Sequence, residues 1–428
     1  MSPITMDRPP SLTLNHNPPP SPHPDLSSSD SQPPELENLS DPETTETDLS
    51  SLPTTPTTPS STHDHDHTDP DAETLQKICQ KLTHLTHLYA SGKPLFPRSL
   101  LQHLDTQIDA GKEEVTIEDL DGVEHGYSLV VPGWCADFAT SYRISYASIQ
   151  TLTCIHPSFP EISLRDTSPI SICYTSSAEI YPPASSSAVQ AAFARNKRKW
   201  ETSETRATLI ASLQDLMQEG RLGKGSIRKI IGFGLGSLAA IAEESPSEQG
   251  VSVQLGDGYH CVRAHAQHAA LGTVAETLIS NWSSQSDPNI ETNTEAESHE
   301  IKCYAQDPAY SEIDQALLRS IGIEPLDDPK GFLEIDPHTL IFSVSPNVPV
   351  KQVVADVGWP GAMIWNTVGM EEKEARWEKK VRNGEEFWVV PFTTDPDSQR
   401  VRDMVQNYTS VALRDFNEFL GDLTIYAR

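Results

Sequence analysis

The sequence has little of what membrane, secreted and nucleic-acid-binding proteins need. It contains no run approaching the roughly 20 consecutive apolar residues of a membrane-spanning helix. Its first residues, MSPITMDRPP, show no cationic segment followed by an apolar one. We therefore expect neither a membrane anchor nor a secretion signal. Basic residues are also scarce, since 31 Lys and Arg face 61 Asp and Glu for a formal net charge of −30. Such a chain repels a phosphate backbone, so we expect no direct nucleic-acid binding.

Paired cysteines and the common catalytic motifs are also absent. The six cysteines form no C-x-x-C pair, in a chain of 428 residues that is long enough to be stabilised by core burial. We therefore predict reduced thiols in an intracellular protein, cytoplasmic, nuclear or both. No H-E-x-x-H, G-x-S-x-G or Walker sequence is present. We predict no catalytic residue and no metal ligand, and interpret His260, His265 and His268 as solvated or core-edge side chains.

Residues 1–70 are predicted to be a disordered, acidic tail. They are rich in Ser, Thr, Pro and Asp and contain no Phe, Trp or Tyr. Such a segment cannot bury enough apolar surface to offset the entropy lost on ordering. Its Ser/Thr-Pro steps, such as Thr55-Pro56 and Thr58-Pro59, are suited to proline-directed kinases. The alternative is an inert low-complexity tail.

A small α+β accessory region is predicted over residues 72–180. Leu75, Ile78, Leu82 and Leu85 recur at spacings of three and four, which indicates an amphipathic helix. A second helix is expected after Pro97. Short β-rich runs follow at residues 114–117, 128–131 and 172–174.

Residues 190–428 are predicted to form an α/β domain with a Rossmann-like, three-layer and mostly parallel sheet. A helical segment before residue 220 leads into strands and helices that alternate along the chain. Strands separated by helices of this length pair in parallel, because a parallel connection must cross over the sheet. We expect strands at 227–233, 301–304, 339–344, 362–366 and 386–390, and helices at 265–279, 311–321 and 350–357, with a long final helix ending at Gly421. Ser311-Glu312-Ile313-Asp314 resembles the capping box at the start of a helix.

The predicted ligand site is a glycine-spaced turn that follows an apolar strand. Gly232, Gly234 and Gly236 are followed by Ser237. Glycines let the backbone bend sharply and let a phosphate or carboxylate approach main-chain N–H groups. In nucleotide-binding sheets an acid after the next strand holds a ribose hydroxyl, and Asp307 stands at that place. These five residues are the predicted cofactor-binding residues, for a cofactor that the sequence does not identify.

Two departures leave the interpretation of this loop open. Ser237 stands where the dinucleotide pattern has its last Gly, and Asp307 lies far beyond the spacing of roughly 20 residues expected for that acid. The Gly-x-Gly-x-Gly spacing is nearer to that of S-adenosylmethionine-dependent methyltransferases, but Ile230 stands where those usually have an acid. Either the loop binds a nucleotide-like small molecule, or it is a tight strand-to-helix turn that permits close packing.

Three blocks of the sequence, residues 229–237, 267–271 and 307–314, resemble the sensitivity-to-red-light-reduced (SRR-like) family. The most specific marks are the Leu-Gly-Ser end of the first block and the Asp-Pro start of the third. The resemblance spans roughly residues 228–368, and the added N-terminal part resembles that of filamentous-fungal members. Pro346-Asn347-Val348 replaces the Pro-His-Cys that is frequent in the family, and Asn366-Thr367 replaces Asn-Ser. Any role of that His and Cys should therefore be missing.

The resemblance implies a regulatory role rather than a known reaction. Members are linked to light and circadian signalling in plants, and to cytoskeletal or haem-related regulation elsewhere. We therefore predict a non-catalytic regulator of signalling, transcription or circadian type, with unidentified protein partners. The alternative is a divergent methyltransferase that uses S-adenosylmethionine, or another nucleotide-cofactor transferase.

Overall fold

The computed structural model describes residues 72–164, 168–175, 185–240, 257–284, 301–371, 376–382 and 384–428. These residues belong to one compact unit. The predicted tail of residues 1–70 lies outside them, and the predicted division of the remainder near residues 180–190 stays a prediction. None of the described helices is long and apolar enough to cross a membrane. All six cysteines are free thiols.

The N-terminal part has the expected α+β character. It contains helices α1 (Ala72–Ala90), α2 (Arg98–Asp109) and α3 (Ile149–Thr153), strands β1 (Glu114–Glu118), β2 (Glu124–Ser128), β3 (Ser141–Tyr146) and β4 (Ile170–Thr175), and the 3-10 turn Pro160–Leu164. β1 pairs with β2 and β3 with β4, both antiparallel. Ile78 and Leu85 of α1 are buried, whereas Leu75 is 44% exposed. The prediction of a strand at residues 128–131 was wrong. The chain turns at Gly122 and runs back beside β1 as β2, and β2 already ends at Ser128.

The C-terminal part alternates between strands and helices over most of its length. Its helices are α4 (Ser186–Glu201), α5 (Glu204–Gln218), α6 (Asp257–Ser284), α7 (Glu312–Ser320), α8 (Lys330–Leu333), α9 (Val350–Val357) and α10 (Gln399–Val405). Its strands are β5 (Lys229–Phe233), β6 (Lys302–Gln306), β7 (Ile323–Pro325), β8 (Thr339–Ser343), β9 (Ala362–Asn366), β10 (Glu378–Arg382), β11 (Glu385–Val389), β12 (Thr409–Leu413) and β13 (Leu423–Ala427). The predicted capping box at the start of α7 is present, and Gly322, at φ +82°, follows the helix.

Seven strands form one sheet in the order β12-β13-β9-β8-β5-β6-β7. The five strands from β5 to β9 are parallel to their neighbours within that group. β13 runs antiparallel to β9 and to β12. A mostly parallel α/β sheet with flanking helices is thereby confirmed. β5 is the middle one of the five parallel strands, with β6 on one side and β8 on the other.

The prediction of a long final helix was wrong. Only Gln399–Val405 is helical, and residues 409–413 and 423–427 are strands instead. All five residues of β13 are buried, which suits a strand that is covered on both faces and not a helix with one apolar stripe. The strand expected at residues 386–390 forms as β11, but it pairs only with β10 in a separate hairpin. The helical segment before Gly220 is two helices, and the Ser203 side chain caps the second.

Two apolar clusters lie on opposite faces of the sheet. Ile230 and Leu340 pack with residues of α4, α5, α6 and α7, whereas Ile231 and Ile341 pack with α9, α10 and the N-terminal part. Neighbouring strand residues point to opposite faces, so each of these strands contributes to both clusters. Full burial of one such aliphatic side chain contributes roughly 1.5–3 kcal/mol. The N-terminal part thus packs directly on the sheet and brings its strand β3 to the carboxyl edge.

Candidate functional site

The structure brings the predicted glycine turn and the predicted acid to the same edge of the sheet. β5 and β6 are parallel with Phe233 opposite Gln306, so Gly234 and Asp307 follow directly at the carboxyl ends of neighbouring strands. The Gly234 N–H donates to the Gln306 carbonyl at 3.1 Å. Because β6 lies on one side of β5 and β8 on the other, the strand order reverses here. Open α/β sheets bind ligands at such a reversal.

Asp307 is hydrogen-bonded to the glycine turn itself. Its Oδ2 accepts the Gly236 N–H at 2.8 Å, and its Oδ1 accepts the Ala309 N–H at 2.9 Å. Burial raises the pKa of this half-buried carboxyl, against the opposing effects of the two N–H groups and of Arg143 on β3. The acid is therefore held in place by main-chain donors on both sides.

Asp314 is a residue of this region that sequence analysis assigned only to a helix cap. It is fully buried, with 0% exposure. Its Oδ2 accepts the Ser311 N–H at 2.7 Å, and its Oδ1 accepts the N–H groups of Leu238 at 2.6 Å and Ala239 at 2.8 Å. The hydroxyls of Ser311 and Ser237 donate to it as well. The S-x-x-D sequence signals the cap, but no local signal points to the second set of bonds.

Each of the three glycines in the turn is required by a neighbour inside the protein. A Cβ on Gly232 would lie 2.6 Å from Leu235 Cδ1 and 2.8 Å from Leu271 Cδ1. Gly234 has φ +63°, and a Cβ there would lie 2.7 Å from Pro346 Cβ. Gly236 has φ +81° and is close to Ala264. Close packing therefore accounts for all three glycines whether or not a ligand binds.

A second half-buried acid lies next to Asp307. Asp328 Oδ1 accepts the Tyr146 hydroxyl at 2.6 Å and Gln306 Nε2 at 3.0 Å. Burial raises the pKa of Asp328 to about 7, although these two hydrogen bonds lower it. Gln306 Oε1 in turn accepts the Gly331 N–H at 2.6 Å. This arrangement ties strand β3 of the N-terminal part to the carboxyl edge of β6.

The end of β8 forms the other side of the strand reversal. Ser345 is exposed and has φ +49°, a conformation that costs a non-glycine residue of order 1–3 kcal/mol. Its N–H donates to Asn366 Oδ1 at 2.7 Å. Asn347, which replaces the histidine frequent in the family, is exposed on the same loop. The edge thus presents amide and hydroxyl groups beside Gly234.

The two histidines of α6 that the structure describes in full are core residues. His268 is 1% exposed and burial lowers its pKa to about 4, so its neutral ring donates from Nδ1 to the Ala264 carbonyl and accepts the Tyr310 hydroxyl at Nε2. His265 is bonded to the Leu238 carbonyl and to Asn196. The side chain of His260 lies outside the described residues. Among the residues described, no group of three or more His, Cys, Asp or Glu is arranged to hold a metal.

Two open clefts lie at the opposite, amino edge of the strands. One of about 440 Å³ contains Lys229, whose Nζ lies 2.8 Å from Glu334 and 3.1 Å from Asp336. A smaller one of about 220 Å³ lies beside Pro337 and Gly361. Asp336 also accepts the His338 N–H at 2.8 Å, as expected for the turn before a strand. None of the five predicted site residues lines either cleft.

Comparison with known proteins identifies the family. The sequence model of the SRR1 domain matches residues 208–425, half of the chain. The match extends beyond the predicted resemblance in both directions, from α5 into β13, and it includes six strands of the sheet and the first three residues of β13. No curated protein and no solved structure gives a significant match. With its glycine turn, its Asp-Pro block and the sheet that carries them inside the matched region, this chain belongs to the SRR1 domain family.

Proposed function

We propose that this protein is a regulatory protein whose Rossmann-like sheet binds a nucleoside-type small molecule at the carboxyl edge of β5, β6 and β8. The order β7-β6-β5-β8-β9 supports the Rossmann-like assignment. Numbered along the chain, these strands follow the order 3-2-1-4-5, as in doubly wound dinucleotide-binding sheets. The reversal in that order lies beside the glycine turn.

One observation carries the proposed ligand site: Asp307 stands beside the glycine turn, 2.8 Å from the Gly236 nitrogen, at the strand reversal. An acid after the second strand of such a sheet accepts ribose hydroxyls. A carboxylate has about four acceptor positions. The Gly236 N–H occupies one acceptor position on Oδ2 of Asp307, and the Ala309 N–H occupies one on Oδ1. The half-buried carboxylate thus retains an acceptor position on each oxygen for the two neighbouring hydroxyls of a ribose.

The regulatory part of the proposal rests on family membership. The SRR1 domain covers nearly the whole sheet, from β5 into β13, while the N-terminal part packs on one face of it. A ligand bound at the carboxyl edge of β6 would lie next to Tyr146 of β3, which is hydrogen-bonded to Asp328. Ligand binding and the surface of the N-terminal part are therefore close enough to influence each other. We expect protein partners in the cytoplasm or the nucleus.

One observation favours the methyltransferase alternative. β13 is inserted antiparallel between β9 and β12, so the whole sheet has the order β7-β6-β5-β8-β9-β13-β12. An antiparallel strand at this place is typical of the sheets of S-adenosylmethionine-dependent methyltransferases. Ile230 still stands where those enzymes usually have an acid.

The proposal is tested by isothermal titration of the full chain with adenosine, S-adenosylmethionine, NAD and ATP. We expect at least one nucleoside compound to bind, and Asp307→Asn to weaken it about tenfold or more, because a hydrogen bond to a charged group contributes about 1.5–3 kcal/mol. Glu334→Gln, at the opposite edge, is the matched control and should bind normally. Absence of binding to all four compounds would leave only a scaffold role.

The methyltransferase alternative needs a separate measurement. Photochemical cross-linking of labelled S-adenosylmethionine should be lost in Asp307→Ala and kept in Glu334→Ala. Equal labelling of both variants would eliminate a role for Asp307 in binding this cofactor. Gly234→Val is unsuitable as a test variant, because its Cβ would collide with Pro346 and disturb the fold.

A further inference from the structure

We infer that the site selects nucleosides that carry no phosphate at the glycine turn, because the carboxylates of Asp307 and Asp314 already accept three of the turn's main-chain N–H groups. The ligand class is then a neutral or positively charged nucleoside, and not a nucleotide. This inference rests on the proposed function and specifies the ligand of the same site.

Four main-chain donors of the turn, those of Gly234, Gly236, Leu238 and Ala239, are hydrogen-bonded to the protein's own oxygens. Phosphate-binding turns hold their anion with N–H groups that have no other partner. Here the Gly236 N–H bonds to Asp307, and those of Leu238 and Ala239 bond to Asp314. The Gly234 N–H bonds to a carbonyl of β6. A phosphate that used the N–H groups of Gly236, Leu238 and Ala239 would therefore have to displace the two carboxylates.

The backbone after the turn gives an anion no further support. Residues 235–240 form bends and extended segments, not the first turn of a helix. The partial positive charge of a helix N-terminus, which favours phosphate in nucleotide-binding sheets, is therefore missing from residues 235–240. Arg143 opposes the rise in the pKa of Asp307, but burial outweighs it and the pKa is still raised.

Displacement of the carboxylates by a phosphate is unfavourable. Asp314 is fully buried and accepts hydrogen bonds from three N–H groups and two hydroxyls. A phosphate that took over the N–H groups of Leu238 and Ala239 would leave this acid with fewer donors, out of water and next to a second anion. A nucleoside whose hydroxyls bind Asp307 leaves the hydrogen bonds of Asp314 in place.

Adenosine and AMP are a matched pair of probes, since they differ by one phosphate. Isothermal titration of the full chain should show AMP binding at least about tenfold more weakly than adenosine, the order of magnitude expected from one like charge near a half-buried acid. S-Adenosylmethionine should bind at least as well as adenosine. If AMP binds as tightly as adenosine, the inference is wrong and the proposed function stands. If neither adenosine nor AMP binds, the inference is wrong, and the proposed function is also wrong only if S-adenosylmethionine, NAD and ATP fail to bind as well.

Charge removal at the turn tests which residues set this selectivity. Asp314→Asn keeps one acceptor oxygen and removes the charge, so the ratio of the AMP to the adenosine dissociation constant should fall severalfold. Asp307→Asn should lower the same ratio, and it should also weaken the binding of both ligands. This variant provides the test if Asp314→Asn does not fold. Glu334→Gln should leave the ratio unchanged. An unchanged ratio in both aspartate variants would show that the carboxylates do not exclude phosphate.

Discussion

The carboxyl and amino edges of the sheet handle charge in opposite ways. At the carboxyl edge, Asp307 and Asp314 are bonded to main-chain N–H groups, and Asp314 is fully buried. At the amino edge, Lys229 faces Glu334 and Asp336 across an open cleft. Water screens the second arrangement, whereas each acid of the first must be satisfied by the protein. The two edges therefore differ in how their charged groups are solvated, and the main-chain-bonded acids mark the carboxyl edge as the candidate site.

The largest effect is expected for Asp314→Ala. The change removes the acceptor for five donors, three N–H groups and two hydroxyls, in a fully buried place. Unsatisfied buried donors cost about 1–3 kcal/mol each when they cannot rearrange, so we expect the free energy of unfolding to fall by about 3–5 kcal/mol. Urea denaturation measures it. Glu334→Ala, at the amino edge, should cost less than about 1 kcal/mol. Equal losses in the two variants would remove the contrast between the edges.

A smaller loss is expected for Gly234→Ala. A Cβ there would lie 2.7 Å from Pro346 Cβ, at a residue with φ +63°. The left-handed conformation costs roughly 1–2 kcal/mol, and the forced contact adds to it, so we expect a total of about 2–4 kcal/mol. Gly111→Ala is the matched control, because Gly111 has φ +66° but open space around it. Urea denaturation should show for Gly111→Ala only the free-energy cost of the left-handed conformation, without the cost of a forced contact. Equal costs would mean that Pro346 moves aside freely.

Local sequence patterns predicted much of the sheet, and they also predicted that the glycine turn and Asp307 lie close together. The strands at β5, β8 and β9 are short apolar runs bounded by turn signals, and the capping box marks the start of α7. The position of Gly234 next to Asp307 followed from one rule, since parallel strands end at the same edge. The glycine turn itself is ambiguous from sequence, because the same residues serve ligand approach and close packing.

What escaped sequence analysis depends on contacts between distant residues. The bond from Asp314 to the Leu238 N–H spans 76 positions, and the Tyr146 bond to Asp328 spans 182. The final strands were mistaken for a helix because Val401, Met404 and Val405 have helical spacing, and the apolar run from residue 409 extends it. The pairing of β13 with β9 and β12 is what makes this segment β-structure instead of a helix, and this pairing is not visible in the local sequence.

The acid Asp328 should give the carboxyl edge a pH dependence that the amino edge lacks. Its folded pKa of about 7 lies above the ordinary aspartate value of 3.8, so between these two values the folded state binds one more proton than the unfolded state. Stability relative to Asp328→Asn should therefore fall as pH rises through this window, by up to about 1 kcal/mol per pH unit, and level off above it. Denaturation midpoints of both proteins from pH 4.5 to 8 measure this difference. A constant difference would show that Asp328 is ionised throughout.

Asp336 supplies the control for that measurement. Burial raises its pKa, but hydrogen bonds from Lys229, His338 and Thr339 outweigh burial, and the pKa is lowered below 3.8. A lowered carboxyl pKa contributes stability that is present above the unfolded value and is lost only as pH falls through the folded value. Between pH 4.5 and 8, Asp336→Asn should therefore shift stability by a constant amount. A slope in this control would assign the pH dependence to groups other than Asp328.

The smallest effect is expected for Lys229→Met at the amino edge. Methionine keeps the apolar stem of the side chain and removes its contacts with Glu334 and Asp336. Both acids are more than 40% exposed, so water can solvate them once the ammonium group is gone. The free energy of unfolding should fall by less than about 1 kcal/mol, and the difference should shrink in 1 M salt, where the Debye length is about 3 Å. A loss as large as that of Asp314→Ala, persisting in salt, would mean that the amino edge also depends on buried charge, and the contrast between the two edges would no longer identify the site.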